Sequence, residues 1–272
     1  MRSAPPLQLL RARFAEFSQP AFEVLQRVTT TEQLANDESR VVANINLALD
    51  LCGQPRITAL ADVFYDTHAQ WLTTIPELDH YPHRGPADYI GLSPERPGET
   101  VIWPEGSRRR VFGYLKPFPA LDTLLELLNK LELPTIIAGD GLPRGLRDQR
   151  ASKTLVFAGP HVDLAQMSRE CDVAITNANH TTTARMLIAG KPVLLAPRQL
   201  EQDLIALAVT QRGLGVSIRP REPHDVFGKV AELLNCPAYH TAASALAAKY
   251  ANSHEDRLHR MLETVERLVE QG

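Results

Sequence analysis

From residue 110 onward the chain alternates short apolar runs with stretches of helical periodicity, and no other feature limits the fold as much. RVFGYL (110–115), PTIIAG (134–139), TLVFAG (154–159), DVAIT (172–176), KPVLLAP (191–197) and GVSI (215–218) are the runs. Each has the length and apolar continuity of a strand buried on both faces. Between most of them lie ALDTLLELLNKL, VDLAQMSREC, TTARMLIAG and EQDLIALAVTQRG, all with helical spacing. Repeated β-α units imply right-handed crossovers and a parallel sheet with helices on both faces, a Rossmann-like α/β domain. The pattern predicts five or six strands, including Val111–Leu115, Thr135–Ala138, Leu155–Phe157, Val173–Ile175 and Val193–Leu195. Only GLPRGLRDQR, after the second run, is too rich in Gly and Pro to be read as a helix.

The rest of the chain lacks this rhythm. Residues 1–65 are predicted helical: Leu9, Leu10, Phe14 and Phe17 recur at helical spacing, as do Val41, Val42, Ile45, Leu47 and Leu49. Gly53 and Pro55 end that second helix, and residues 56–66 offer a short third one. WLTTIPEL is strand-like, and the Pro- and Gly-rich residues 80–107 form a connector holding one short strand candidate, ADYIGL. From about residue 222 the chain is helical again. The expected organisation is therefore a mainly helical block with connector at 1–107, the α/β domain at 108–240, and terminal helices at 241–272.

Composition narrows the function. With 29 Lys and Arg against 32 Asp and Glu, the net charge of −3 gives no electrostatic case for a nucleic-acid partner. The three cysteines, Cys52, Cys171 and Cys236, are far apart and fit neither a disulfide framework nor a zinc site, so no metal is expected. No apolar run approaches the ~18–20 residues of a membrane span, and the first residues lack a secretory h-region. A cytoplasmic protein is expected.

In an open parallel sheet, ligands bind beyond the carboxyl ends of the strands. Four loops qualify. TNANHTTTAR (176–185) leaves a strand and opens a helix, and Asn177, Asn179, His180, Thr181, Thr182 and Thr183 gather donors where helix N–H groups are unpaired. This reads either as a cradle for phosphate oxygens or as an ordinary threonine cap in a polar loop. PRQLEQD (197–203) brings Glu201 and Gln202, suited to sugar hydroxyls or to helix capping. FGYLKPFP (112–119) offers Gly113, which admits close approach, and Lys116, either a phosphate partner or a solvated side chain. AGPHVDL (158–164) carries Pro160, His161 and Val162, a possible wall for a planar base or a plain surface loop.

The order of these motifs resembles the C-terminal, donor-binding domain of GT-B glycosyltransferases, closest to the UDP-glycosyltransferase group of macrolide and flavonoid enzymes. NINLALDLCG and WLTTIPELDHYPHRGPADYIGL look like the end of that family's N-terminal domain and its linker, so the resemblance runs from about residue 40. The family's strand–His-Gly-Gly–Ser/Thr-Thr helix start, Gly-x-Pro turn and acidic-Gln pair are matched by Thr182-Thr183, Gly190-Lys191-Pro192 and Glu201-Gln202. The resemblance implies diphosphate binding by Thr182 and Thr183, sugar recognition by Glu201 and Gln202, and a nucleobase at Pro160–Val162. No cofactor is implied beyond the nucleotide-diphosphate sugar, which serves as substrate. Asn177-Ala178-Asn179 replaces His-Gly-Gly, and Arg185 stands where many members place an acid on the ribose. Arginine cannot accept a hydrogen bond, so Arg185 either leaves that role unfilled or meets a phosphate.

The resemblance also implies a base, usually histidine, near the start of a full N-terminal acceptor domain. The first histidine here is His68, next to the connector, and no residue matches that base. The expected function is that of a UDP- or dTDP-sugar-dependent hexosyltransferase acting on an acceptor hydroxyl when complemented by an acceptor domain, on another chain or in a homo-oligomer. The alternative is a truncated or vestigial nucleotide-sugar-binding module. A sugar-nucleotide epimerase, which shares the two-domain fold, would need carboxylates and a histidine across a cleft that the sequence does not supply.

Overall fold

The computed structural model describes residues 30–60, 62, 71–79, 87–94, 97–219, 221–251 and 255–271. The chain divides into two compact units. One takes in residues up to Leu72, with 80–89 and Leu258 onward; the other takes in Thr73–Asp79 and Ile90–Arg257.

In the first unit, helix α1 (Thr31–Leu51) begins at a capping box: Gln33 N–H donates to Thr30 Oγ1, and Thr30 N–H donates to Gln33 Oε1. It ends at Cys52, followed by Gly53 in the left-handed region. Asn46 fixes the returning chain by exchanging two hydrogen bonds with the Ile57 backbone. Residues 56–60 are not helical. The remainder of the expected third helix, except Asp62, lies outside the described residues, as do the expected helix through Leu9–Phe17 and His68. Strands β1 (Trp71–Leu72) and β2 (Asp88–Tyr89) form a two-stranded parallel ribbon.

The second unit carries the six-stranded sheet: β3 (Val111–Tyr114), β4 (Thr135–Ala138), β5 (Leu155–Phe157), β6 (Val173–Thr176), β7 (Val193–Leu195) and β8 (Gly215–Ser217). Its order is β5-β4-β3-β6-β7-β8, and every pairing is parallel. Alternate strand residues serve two cores. Phe112, Ile136, Ala174 and Leu195 pack under α4 (Leu164–Glu170), α5 (His180–Ile188) and α6 (Leu200–Gln211). Val111, Ile137, Val173 and Leu194 pack under α2 (Leu121–Lys130) and α7 (Pro223–Asn235). Both faces being covered explains why the strands read as continuous apolar runs.

GLPRGLRDQR does contain a helix, which α2 helps to hold. This helix, α3, spans Arg144–Arg150. Arg150 donates to both carboxylate oxygens of Asp122 on α2 at 2.6 and 2.7 Å. Arg147 lies over the Phe157 ring. Beyond α7 come α8 (Pro237–Tyr250) and α9 (Glu255–Gln271). No described helix is long and apolar enough to cross a membrane.

Candidate functional site

The chain leaves β3 towards β4 and β5, then returns to the other side of β3 as β6. The carboxyl ends of β3 and β6 therefore flank the switch point of strand order, where a crevice opens in folds of this type. Asn177, the first residue past β6, is buried there. Its Oδ1 accepts from Lys116 N–H at 2.6 Å and its Nδ2 donates to the Ala196 carbonyl at 2.9 Å. One side chain thus ties together the exits of β3, β6 and β7.

The next residue, Ala178, has φ +57°. Its N–H donates to Thr176 Oγ1, which also shares a hydrogen bond of 2.8 Å with Thr183 Oγ1. This tight turn delivers the chain into α5, whose N-cap, Asn179, makes no side-chain capping bond. Asn179 Nδ2 instead donates to Thr182 Oγ1, and its buried Oδ1 has no partner. Thr183 is fully buried, Thr182 nearly so, and Thr181 is exposed. The hydroxyls of Thr182 and Thr183 are thus held by protein groups. The α5 amides and the helix dipole are the features of this turn suited to an anion. His180, the first residue of α5, meets Thr74 through Nε2 at 2.5 Å.

The other loops reach the same edge of the sheet. The Tyr114 hydroxyl donates to the Pro160 carbonyl at 3.3 Å, joining the exits of β3 and β5. Burial and the Asp140 carboxylate together push this phenol above its ordinary range. His161 is exposed and Val162 is buried. Glu99 N–H donates to the His161 carbonyl and Asp163 N–H donates to the Glu99 carbonyl, a parallel bridge centred on Val162. Such a bridge turns the amide and carbonyl of Val162 away from Glu99. Glycine is required at 98, because a Cβ there would lie 2.3 Å from the Val162 oxygen.

Gly113 sits inside the sheet, where a Cβ would meet Ile137 Cδ1 at 2.5 Å, so its missing side chain makes room for a neighbouring strand. Lys116 is exposed, with its backbone amide taken by Asn177. Glu201 is exposed on the first turn of α6, while Gln202 Oε1 accepts from Arg198 N–H at 2.8 Å and closes the β7 exit loop. Arg185 is 6% exposed and donates through Nη2 to the Ser93 carbonyl at 2.5 Å. The Gly-x-Pro turn is a helix stop. Gly190, at φ +79°, and Lys191 donate back to Leu187 and Met186 in a Schellman motif. Three features escaped the sequence reading: the Thr74 contact, the Gly98–Val162 approach and the left-handed Ala178. Only Ala178 had a signal, since it stands on the first glycine of the family's His-Gly-Gly.

No family model matches the sequence. PGL/p-HBAD biosynthesis rhamnosyltransferases of Mycobacterium bovis (strain BCG / Pasteur 1173P2) and Mycobacterium tuberculosis (strain ATCC 25177 / H37Ra) are 27% identical over 197 residues, 69% of this chain and 43% of each relative. The chain therefore spans less than half the length of these curated relatives. The solved glycotransferase of kitacinnamycin superposes with a TM-score of 0.67 at 18% identity, covering 96% of this chain and 67% of that one. The chain has a GT-B fold. The calicheamicin glycosyltransferase CalG4 superposes likewise, with a TM-score of 0.63 at 16% identity over 83% of this chain and 58% of its own.

Proposed function

We propose that the second unit binds a nucleotide-diphosphate sugar along the carboxyl edge of the sheet, as the donor half of a hexosyltransferase with a hydroxyl acceptor. The observation that carries this reading is the turn at 177–180. It opens beside the switch point of strand order onto a helix start that no side chain caps. A diphosphate there would meet the first amides of α5 and its dipole. The main chain at Val162 would face the base, and Glu201 and Gln202 the sugar. The acceptor and its base would come from an N-terminal domain, on another chain or in a homo-oligomer. Three cysteines without disulfide partners fit a cytoplasmic setting.

The test is calorimetry with dTDP, UDP and GDP on the native chain and on Thr181→Asp. Thr181 is exposed on the first turn of α5, so the substitution leaves the packing intact and a carboxylate there suits the dipole. Stability should hold or rise slightly, while binding weakens at least tenfold through like-charge repulsion. Equal binding by both forms, or none by the native chain, would remove the site.

The buried Arg185, in the place of the family's ribose-binding acid, favours a second reading: a nucleotide-sugar-binding module without turnover. Nucleotide binding without sugar transfer, even when an acceptor domain is supplied, would select it.

A further inference from the structure

The segment Thr73–Asp79 belongs to the second unit although the residues on either side of it belong to the first. Three kinds of contact hold it. Ile75 and Leu78 are buried in the core that also takes Met186, Leu187 and Ile205. Glu77 accepts from Lys249 Nζ at Oε1 and from the Tyr250 hydroxyl at Oε2, each at 2.5 Å, at the end of α8. Burial pushes the Glu77 carboxyl up, but these two donors, with Glu77's own backbone amide, outweigh it and leave the group below its ordinary range. Thr74 Oγ1 and His180 Nε2 share a part-buried hydrogen bond of 2.5 Å across 106 residues of sequence. The segment's own backbone is a single 3-10 turn, in which Leu78 and Asp79 N–H donate to the Ile75 and Pro76 carbonyls.

His180 is where this anchorage meets the donor site proposed above, because it is the first residue of α5. We propose that Thr74 and His180 are positioning residues. Their bond joins the segment to the first turn of α5, so that a nucleoside diphosphate seated there and the packing of Thr73–Asp79 stabilise each other. The inference rests on the donor-site reading. Order imposed on the first turn by an anion passes to Thr74 through the imidazole. By reciprocity, a loosened segment weakens the anion's hold by the same factor. Lys249 and Tyr250 hold the far end of the segment, so Thr74 is free to report on α5 without carrying the whole anchorage.

Amide hydrogen exchange with and without saturating dTDP tests this on the full chain. In the native protein dTDP should slow exchange several-fold both in the first turn of α5 and at Leu78 and Asp79. Thr74→Val keeps the shape and removes the hydroxyl. It should leave the slowing in α5, abolish it at Leu78 and Asp79, and weaken dTDP binding several-fold. Thr74→Ser should restore both effects, which separates the hydroxyl's role from any loss of packing. Slowing in native α5 with no change at Leu78 and Asp79 would overturn the proposal and leave the donor site standing. So would a Thr74→Val chain whose segment still responds. No slowing in α5 of the native chain would overturn the donor site and the proposal together.

Discussion

At Ala178 an alanine holds a backbone conformation that glycine adopts freely. The left-handed region costs an L-residue roughly 1–2 kcal/mol, and here it is imposed by the bond from Ala178 N–H to Thr176 and by the start of α5 two residues on. Ala178→Gly should relieve the strain at the expense of ~0.5–1 kcal/mol of chain entropy. The expected gain is about 0.5 kcal/mol, read as a rise in the urea midpoint at unchanged slope. A fall would mean that the Ala178 methyl packs more than it strains. Asn177 is the opposite case. Truncation to alanine strands the part-buried Lys116 amide and the buried Ala196 carbonyl, and each lost partner costs roughly 1–3 kcal/mol. Asn177→Ala should lower stability by about 2–4 kcal/mol. Asn177→His cannot reach both partners and should also destabilise unless the two loops move.

Single elements show which parts of the fold were legible in the sequence. The six strands were, because burial under helices on both faces leaves short apolar runs that recur between helical stretches. Helix α2 was, because Leu121, Leu124, Leu125 and Leu128 form one stripe. The helix at Arg144–Arg150 was not. Gly145 lowers its propensity, and it is held by Arg150 bonded to Asp122, Arg147 over the Phe157 ring and Leu146 packed against the core, contacts that local sequence does not contain. A Cβ at Gly145 meets nothing within 4 Å, so Gly145→Ala should stabilise the protein by about 0.5–1 kcal/mol. No change in the thermal midpoint would show that this helix frays independently of the rest. At the candidate site the strand-end position of the four loops was legible, because each loop follows an apolar run. The side chains were not: hydroxyl content suggested Thr182 and Thr183 as donors. The fold turns both inward, and burial at a helix start depends on rotation about an axis that residue types do not specify.

The Glu77 anchorage gives the segment before Ile90 a pH dependence. Glu77 has a folded-state carboxyl below its ordinary value of 4.5, so its contribution is fully present above that value and is lost as pH falls through the lower, folded one. Glu77→Gln should therefore lower stability at neutral pH and leave it closer to the native chain's in acid. Parallel unfolding curves at every pH would contradict the assignment.

At the scale of the molecule, the chain spans 43% of the length of its curated relatives. If the acceptor half is supplied separately, the chain alone should bind dTDP or UDP and transfer no sugar. Addition of an acceptor domain should start turnover without changing nucleotide affinity more than a few-fold. Transfer by the chain alone, followed with a radiolabelled donor, would place the base within these 272 residues.

The bridge between Glu99 and Val162 bears on how such a site can diversify. Both of its hydrogen bonds run between main-chain atoms, to the carbonyl of His161 and from the amide of Asp163. The position of the loop is thus independent of what residue 161 is, and the exposed His161 can be exchanged without moving its backbone. Gly98, where the two segments nearly touch, and the buried Val162 are denied that freedom. A lineage carrying this arrangement can sample side chains at this strand end at little risk to folding, keeping the scaffold constant while the exposed surface changes.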